Sequence, residues 1–184
     1  MKGRVIIGYS LACLVLTLVF CVETTTAQGR SPSSPVPVGI PVVTTVECGT
    51  GYSSLELYDA RLTLLEIVRG EKAWNLIKEA SVFNKPPKVG FEYIVARIRF
   101  EFFKRGFPGD KNYELREDQF TAVSISGREY EAPSVLPLKP RLSGTLSSGK
   151  SLEGWVTLLV PKEDNKPLMN FDREHDGGIW FQLY

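Results

Sequence analysis

Two stretches of this chain hold residues whose types and spacing could do chemistry. In Asp172-Arg173-Glu174-His175-Asp176-Gly177, carboxylates fall at i, i+2 and i+4 ahead of a glycine. Hard cations such as calcium take oxygen ligands at such spacings from a tight loop, which makes Asp172, Glu174 and Asp176 candidate calcium ligands. The match to a helix–loop–helix site is partial: its twelfth position calls for a bidentate Glu, and Leu183 stands there. A solvated polar connection between Phe171 and Ile179 accounts for the same residues, and the sequence favours it.

Gly144-Thr-Leu-Ser-Ser-Gly149-Lys150-Ser151 fits the spacing of a phosphate-cradling loop. That chemistry needs a parallel strand before the loop and a helix after it, so that backbone N–H groups and the helix dipole face the phosphates. Here Pro137 and Pro140 interrupt the preceding stretch, and Leu152 to Val160 reads as a strand. The residues are expected to form a Ser/Gly turn entering that strand, with no nucleotide bound.

The remaining reactive side chains are few. His175 is the sole histidine, and no G-x-S-x-G elbow accompanies it. One histidine, with Cys48 the one cysteine outside the first 27 residues, cannot make a zinc or copper site of usual composition within one chain. Glu129 and Glu131 are paired in sequence but sit on a strand, where such pairs mark a solvated face. No positioned acid–base or nucleophile set emerges, so a catalytic role is not expected.

These residues need elements to hold them, and the chain divides into three parts. Lys2 and Arg4 precede an apolar run from Val5 to Val22, and Thr25-Thr26-Ala27 offers the small residues a signal peptidase reads. Residues 1–27 are expected to be a secretory leader, with an uncleaved anchor as the alternative because the run approaches the ~20 residues that span a bilayer. Lipidation is disfavoured: Phe20 precedes Cys21, and the run before Cys13 is short. The formal charge of +1 resides in the leader's Lys2, Arg4 and Glu23, which leaves the rest of the chain balanced. A balanced surface gives no electrostatic reason to bind nucleic acid.

Residues 28–41, rich in Pro and Ser, read as an extended solvated tether. Residues 42–184 suit one domain. Val42–Val46, Leu55–Tyr58 and Leu62–Val68 are strand candidates, and Glu71–Ala80 after Gly70 is the one helix, with Ala73, Trp74, Ile77 and Ala80 on one face. Tyr93 to Phe103 alternates strictly, with Ile94, Ala96, Ile98, Phe100 and Phe102 on one side and Arg97, Arg99 and Glu101 on the other. Asp110–Asp118 reads as loop. Phe120–Ile125 and Arg128–Glu131 form a hairpin around Ser126-Gly127, and Trp155–Val160, Met169–Phe171 and Ile179–Tyr184 complete an all-β pattern of an antiparallel sandwich. Trp74, Trp155 and Trp180 fit its core or lid.

Arg69-Gly70-Glu71 with Trp74 and Ile77, Asn84 with Pro86-Pro87, Gly90-Phe91-Glu92-Tyr93, and the later Glu153-Gly154-Trp155-Val156, Val160-Pro161, Pro167 and Trp180-Phe181 carry a resemblance. They resemble a family of secreted prokaryotic immunoglobulin-like domains of unknown function, similar in fold to the mycobacterial immunoprotective extracellular antigen. The resemblance implies an immunoglobulin-like sandwich with one short helix between early strands, exported or membrane-tethered, and it brings no catalytic residues with it. The expected function is a binding or interaction module outside the cytoplasm, contacting the membrane only through an uncleaved N-terminal segment. A calcium-dependent adhesion module and an enzyme of unrecognised type are the alternatives.

Overall fold

The alternation around Ile98 builds the central strand of a sheet. The computed structural model describes residues 28–49, 55–106, 110–173 and 177–184. In it β1 (Pro41–Cys48), β2 (Glu56–Arg69) and β3 (Phe91–Lys104) are joined by β7 (Lys150–Pro161) in one antiparallel sheet of order β1-β2-β3-β7. Between β3 and β7 lie β4 (Tyr113–Leu115), β5 (Phe120–Val123) and β6 (Gly144–Leu146), and β8 (Leu168–Phe171) and β9 (Ile179–Gln182) close the chain. A second sheet has the order β5-β8-β9, and β4 pairs with β6. All named strand pairs are antiparallel.

Both sheets feed one apolar core. Ile94, Ala96, Ile98, Phe100 and Phe102 of β3 are each fully buried, together with Met169, Phe171, Ile179 and Phe181 of the second sheet. Rings tie the layers together: Phe100 lies 5.3 Å from Tyr113 and 5.9 Å from Phe171, which in turn lies 4.9 Å from Phe120. Separations of this order are those at which aromatic pairs attract beyond simple burial.

The two stretches expected as separate strands before the helix are one strand, β2, with a bulge between Leu64 and Glu66. In unbroken alternation Glu66 would follow Leu62 and Leu64 into the core. The bulge returns Glu66 to the outer face opposite Arg97 and turns Ile67 inward beside Ala96. The outer face is charged, with Arg61 against Glu101 at 3.6 Å and Glu153 between Arg97 at 2.5 Å and Arg99 at 3.0 Å. Exposed pairs of this kind keep a sheet face wet and add little stability.

At its Phe91 end the same face is dry. There α1 (Gly70–Ala80) lays Ala73 and Ile77 on Tyr93, Val95 and Leu159. Pairing of Arg69 with Glu92 at 2.5 Å fixes the helix start. Ala80, expected on the buried face, is exposed because the helix ends there and Ser81 turns extended.

The Pro/Ser-rich stretch departs most from expectation. Residues 29–36 are not a solvated tether: they form a turn, closed by Gly29 N–H to Ser34 O at 2.7 Å, whose two ends are anchored on β9. Trp180 donates its N–H to Gly29 O at 2.8 Å, Val36 to Trp180 O at 2.8 Å, and Gln182 to Val36 O at 2.9 Å. Val36 is fully buried. Pro35 and Pro37 flank it at positions whose missing N–H would point away from β9, so the edge tolerates them. Gly29 has φ +86°, and a Cβ there would meet Val36 Cγ2 at 2.5 Å.

Two short strands were invisible in sequence. Tyr113–Leu115, within the expected loop, is β4, and Gly144–Leu146, within the phosphate-loop match, is β6. The hairpin after β5 is narrower than its pattern, held by Tyr130 N–H to Ala122 O at 2.9 Å and a Val123–Glu129 bridge around Gly127. Among the described residues no helix is long and apolar enough to cross a membrane.

Candidate binding surface

The segment after α1 is short, rigid and apolar where it meets water. Asn84, buried, donates from Nδ2 to Ile77 O at 2.8 Å and to Leu136 O at 3.2 Å, and accepts from Leu136 N–H at Oδ1 at 2.6 Å. One side chain therefore welds the helix end to the arch of residues 131–140. Tyr93 adds a bond from its hydroxyl to Lys85 O at 3.2 Å. With the loop pinned at Asn84, the preceding Val82 and Phe83 stand in water at 88% and 81% exposure, and Leu136 beside them is also exposed.

A groove of about 410 Å³ opens next to this tip, floored by Trp155 and walled by Leu76, Ala80 and Pro137, with Glu79 and Lys139 at its rim. Its floor exists because Gly154 lets the arch lie directly on β7: a Cβ there would sit 2.4 Å from Arg141 C. Arg97 stacks its guanidinium 6.0 Å from the Trp155 ring. On the other side of the arch a second cavity, about 240 Å³, lies between β5 and β7. Phe120, Val135 and Leu159 give it apolar walls, and Glu117, Asp118 and Tyr130 give it polar ones. The Tyr130 hydroxyl donates to Asp164 at 2.7 Å, and burial pushes that phenol upward.

The residues singled out for chemistry fall only partly within the described part of the chain. Asp172 follows β8 with φ +54°, its N–H donated to Gln119 O at 2.9 Å. Burial, and then the charge of Asp172, raise the Tyr113 phenol. Glu174, His175 and Asp176, and with them two of the three expected calcium ligands, lie outside the described residues. Among the described residues no group of three His, Cys, Asp or Glu is arranged to hold a metal ion. Lys150 opens β7, exposed, where a nucleotide loop would start a helix.

Glu129 and Glu131 each have their own cation, Arg173 at 2.8 Å and Lys88. The hydrogen bond from Lys88 lowers the Glu131 carboxyl, and one from Arg99, seconded by Arg97, lowers Glu153. Cys48 is buried, and desolvation, with Glu56 adding to it, pushes its thiol up to about 11. Trp180 is buried with its indole N–H on Gly177 O at 3.1 Å, while Trp74 and Trp155 are half-buried between helix and sheet.

Val82, Phe83 and Leu136 carried no signal in the sequence beyond an apolar pair stranded between a helix and Pro86-Pro87, and a leucine among prolines. No protein-family model, curated protein or solved structure matches the chain.

Proposed function

We propose that this chain is an exported immunoglobulin-like β-sandwich that works as a non-catalytic binding module on the outer side of a membrane. The observation that carries the reading is the pinned tip: large apolar side chains held in water on a loop that Asn84 prevents from collapsing inward. Exposed apolar clusters rimmed by polar groups mark contact surfaces, and rigidity reduces the entropy lost on contact. The leader pattern, the shared core of two antiparallel sheets and the distributed resemblance support the location and the fold name. Among the described residues, Glu131 and Glu153 shift downward, which does not suit a general acid.

The test is capture from intact cell envelopes by the exported protein, compared with Phe83→Asp. A captured component that the variant loses supports the reading. Equal capture by both proteins, or none, removes it. The location is checked separately by sequencing the N-terminus of the exported protein, which is expected to start near Gln28.

A further inference from the structure

We propose that the occupant of this tip is an anionic lipid surface, into which Val82 and Phe83 insert while lysines around them hold the headgroups. This rests on the reading of the tip as the contact surface. The shape is the first ground. Val82 and Phe83 stand exposed just past the end of α1 and do not line the groove beside it. A projecting apolar pair suits a deformable acyl layer, which needs no matching pocket.

Charge is the second ground. Lys78 follows Ile77, whose carbonyl Asn84 holds, Lys85 follows Asn84 itself, and Lys139 shares the groove rim beside Leu76 and Ala80. All three are exposed and carry no ion pair among the described residues, unlike Lys88, which is engaged by Glu131. Glu79 is the acidic residue next to Lys78, so three lysines against one glutamate leave the surroundings of the tip cationic in a chain that is otherwise nearly balanced. Unpaired lysines around an apolar wedge complement a negative leaflet. The third ground is rigidity: Asn84 and Tyr93 hold the loop in the exposed arrangement before contact, so insertion needs no refolding.

The experiment uses the full chain with Cys13→Ser and Cys21→Ser, and an environment-sensitive fluorophore on Val82→Cys. Buried Cys48 stays unlabelled. Because the probe reports the tip alone, binding through the leader does not mimic the signal. Vesicles of phosphatidylcholine, with and without phosphatidylglycerol, are titrated in. A blue shift with the anionic vesicles, quenched by lipid-borne nitroxide, is expected. Each lysine near such a surface contributes roughly fivefold, so combined Lys78→Glu, Lys85→Glu and Lys139→Glu should weaken it on the order of 100-fold or more. Lys150→Glu, at the start of β7, should leave it unchanged, and all variants should keep the parent melting temperature. No shift, or an equal shift on uncharged vesicles, overturns the inference. Solubilised envelope protein is the second probe, and a shift seen only with it also overturns the inference, yet leaves the binding-module reading standing. Silence with both probes removes the two together.

Discussion

Replacing Asn84 with alanine removes three hydrogen bonds at once and leaves Ile77 O, Leu136 O and Leu136 N–H without their partner. A neutral hydrogen bond contributes about 0.5–1.5 kcal/mol net, and the exposed position of Leu136 lets water recover part of the loss, so the cost should be about 2–4 kcal/mol. For a domain of this size that lowers the melting temperature by about 5–15 °C. Asn84→Asp makes a sharper test. The introduced acid still accepts from Leu136 N–H, but its other oxygen faces the carbonyls of Ile77 and Leu136, where an N–H donor stood. The folded protein then raises the acid's pKa above the unfolded value of about 3.9. Between those two values the folded state holds a proton that the unfolded state has released, so stability falls as pH rises from about 4 through the folded-state pKa. Below about pH 4 both states are protonated and the penalty from charge disappears. Thermal melts of parent, Asn84→Ala and Asn84→Asp across pH 4–7 measure all of this. An alanine variant within about 2 °C of the parent, or an aspartate variant whose pH profile parallels the parent's, would refute the role of Asn84 as the pin.

Two further outcomes follow from close approach and burial. Gly154→Ala places a Cβ within 2.4–2.5 Å of Arg141 and Leu142 backbone atoms that no rotamer change can move. It should cost about 2–3 kcal/mol, read as a lower urea midpoint, and an unchanged midpoint would show that the arch does not rest on β7. Cys48, with its thiol pushed up to about 11, should resist alkylation at pH 8 in the native protein and react once urea unfolds it. Peptide mass spectrometry showing native Cys48 modified as fast as a free thiol would contradict its burial.

What could be read from the residues was set by local period. Ile94 to Phe102 alternate for long enough that only a strand with one apolar face fits, and β3 has that face in the core. Gly70 and the apolar spacing of Ala73 and Ile77 mark α1, because a helix writes its pattern within a few turns of itself. The strand that follows Lys150 was legible for the same reason, and it separates a phosphate-loop spelling from a phosphate loop.

What tertiary structure decided was every pairing between residues far apart in sequence. β4 and β6 are three residues each, too short to show a period, and they exist because Tyr113–Leu115 and Gly144–Leu146 satisfy one another's backbone. Leu65 bulges because the register with β3 and the exclusion of Glu66 from the core demand it, a constraint that β2 does not contain. The stretch around Val36 has the composition of a solvated linker, and only the open edge of β9 turns it into structure. The exposed tip has the same origin. Val82 and Phe83 read as ordinary apolar residues until Asn84 finds Leu136, 52 positions along the chain, and fixes them facing water. Local sequence specifies which way a side chain alternates, whereas exposure depends on which distant backbone arrives to cover it.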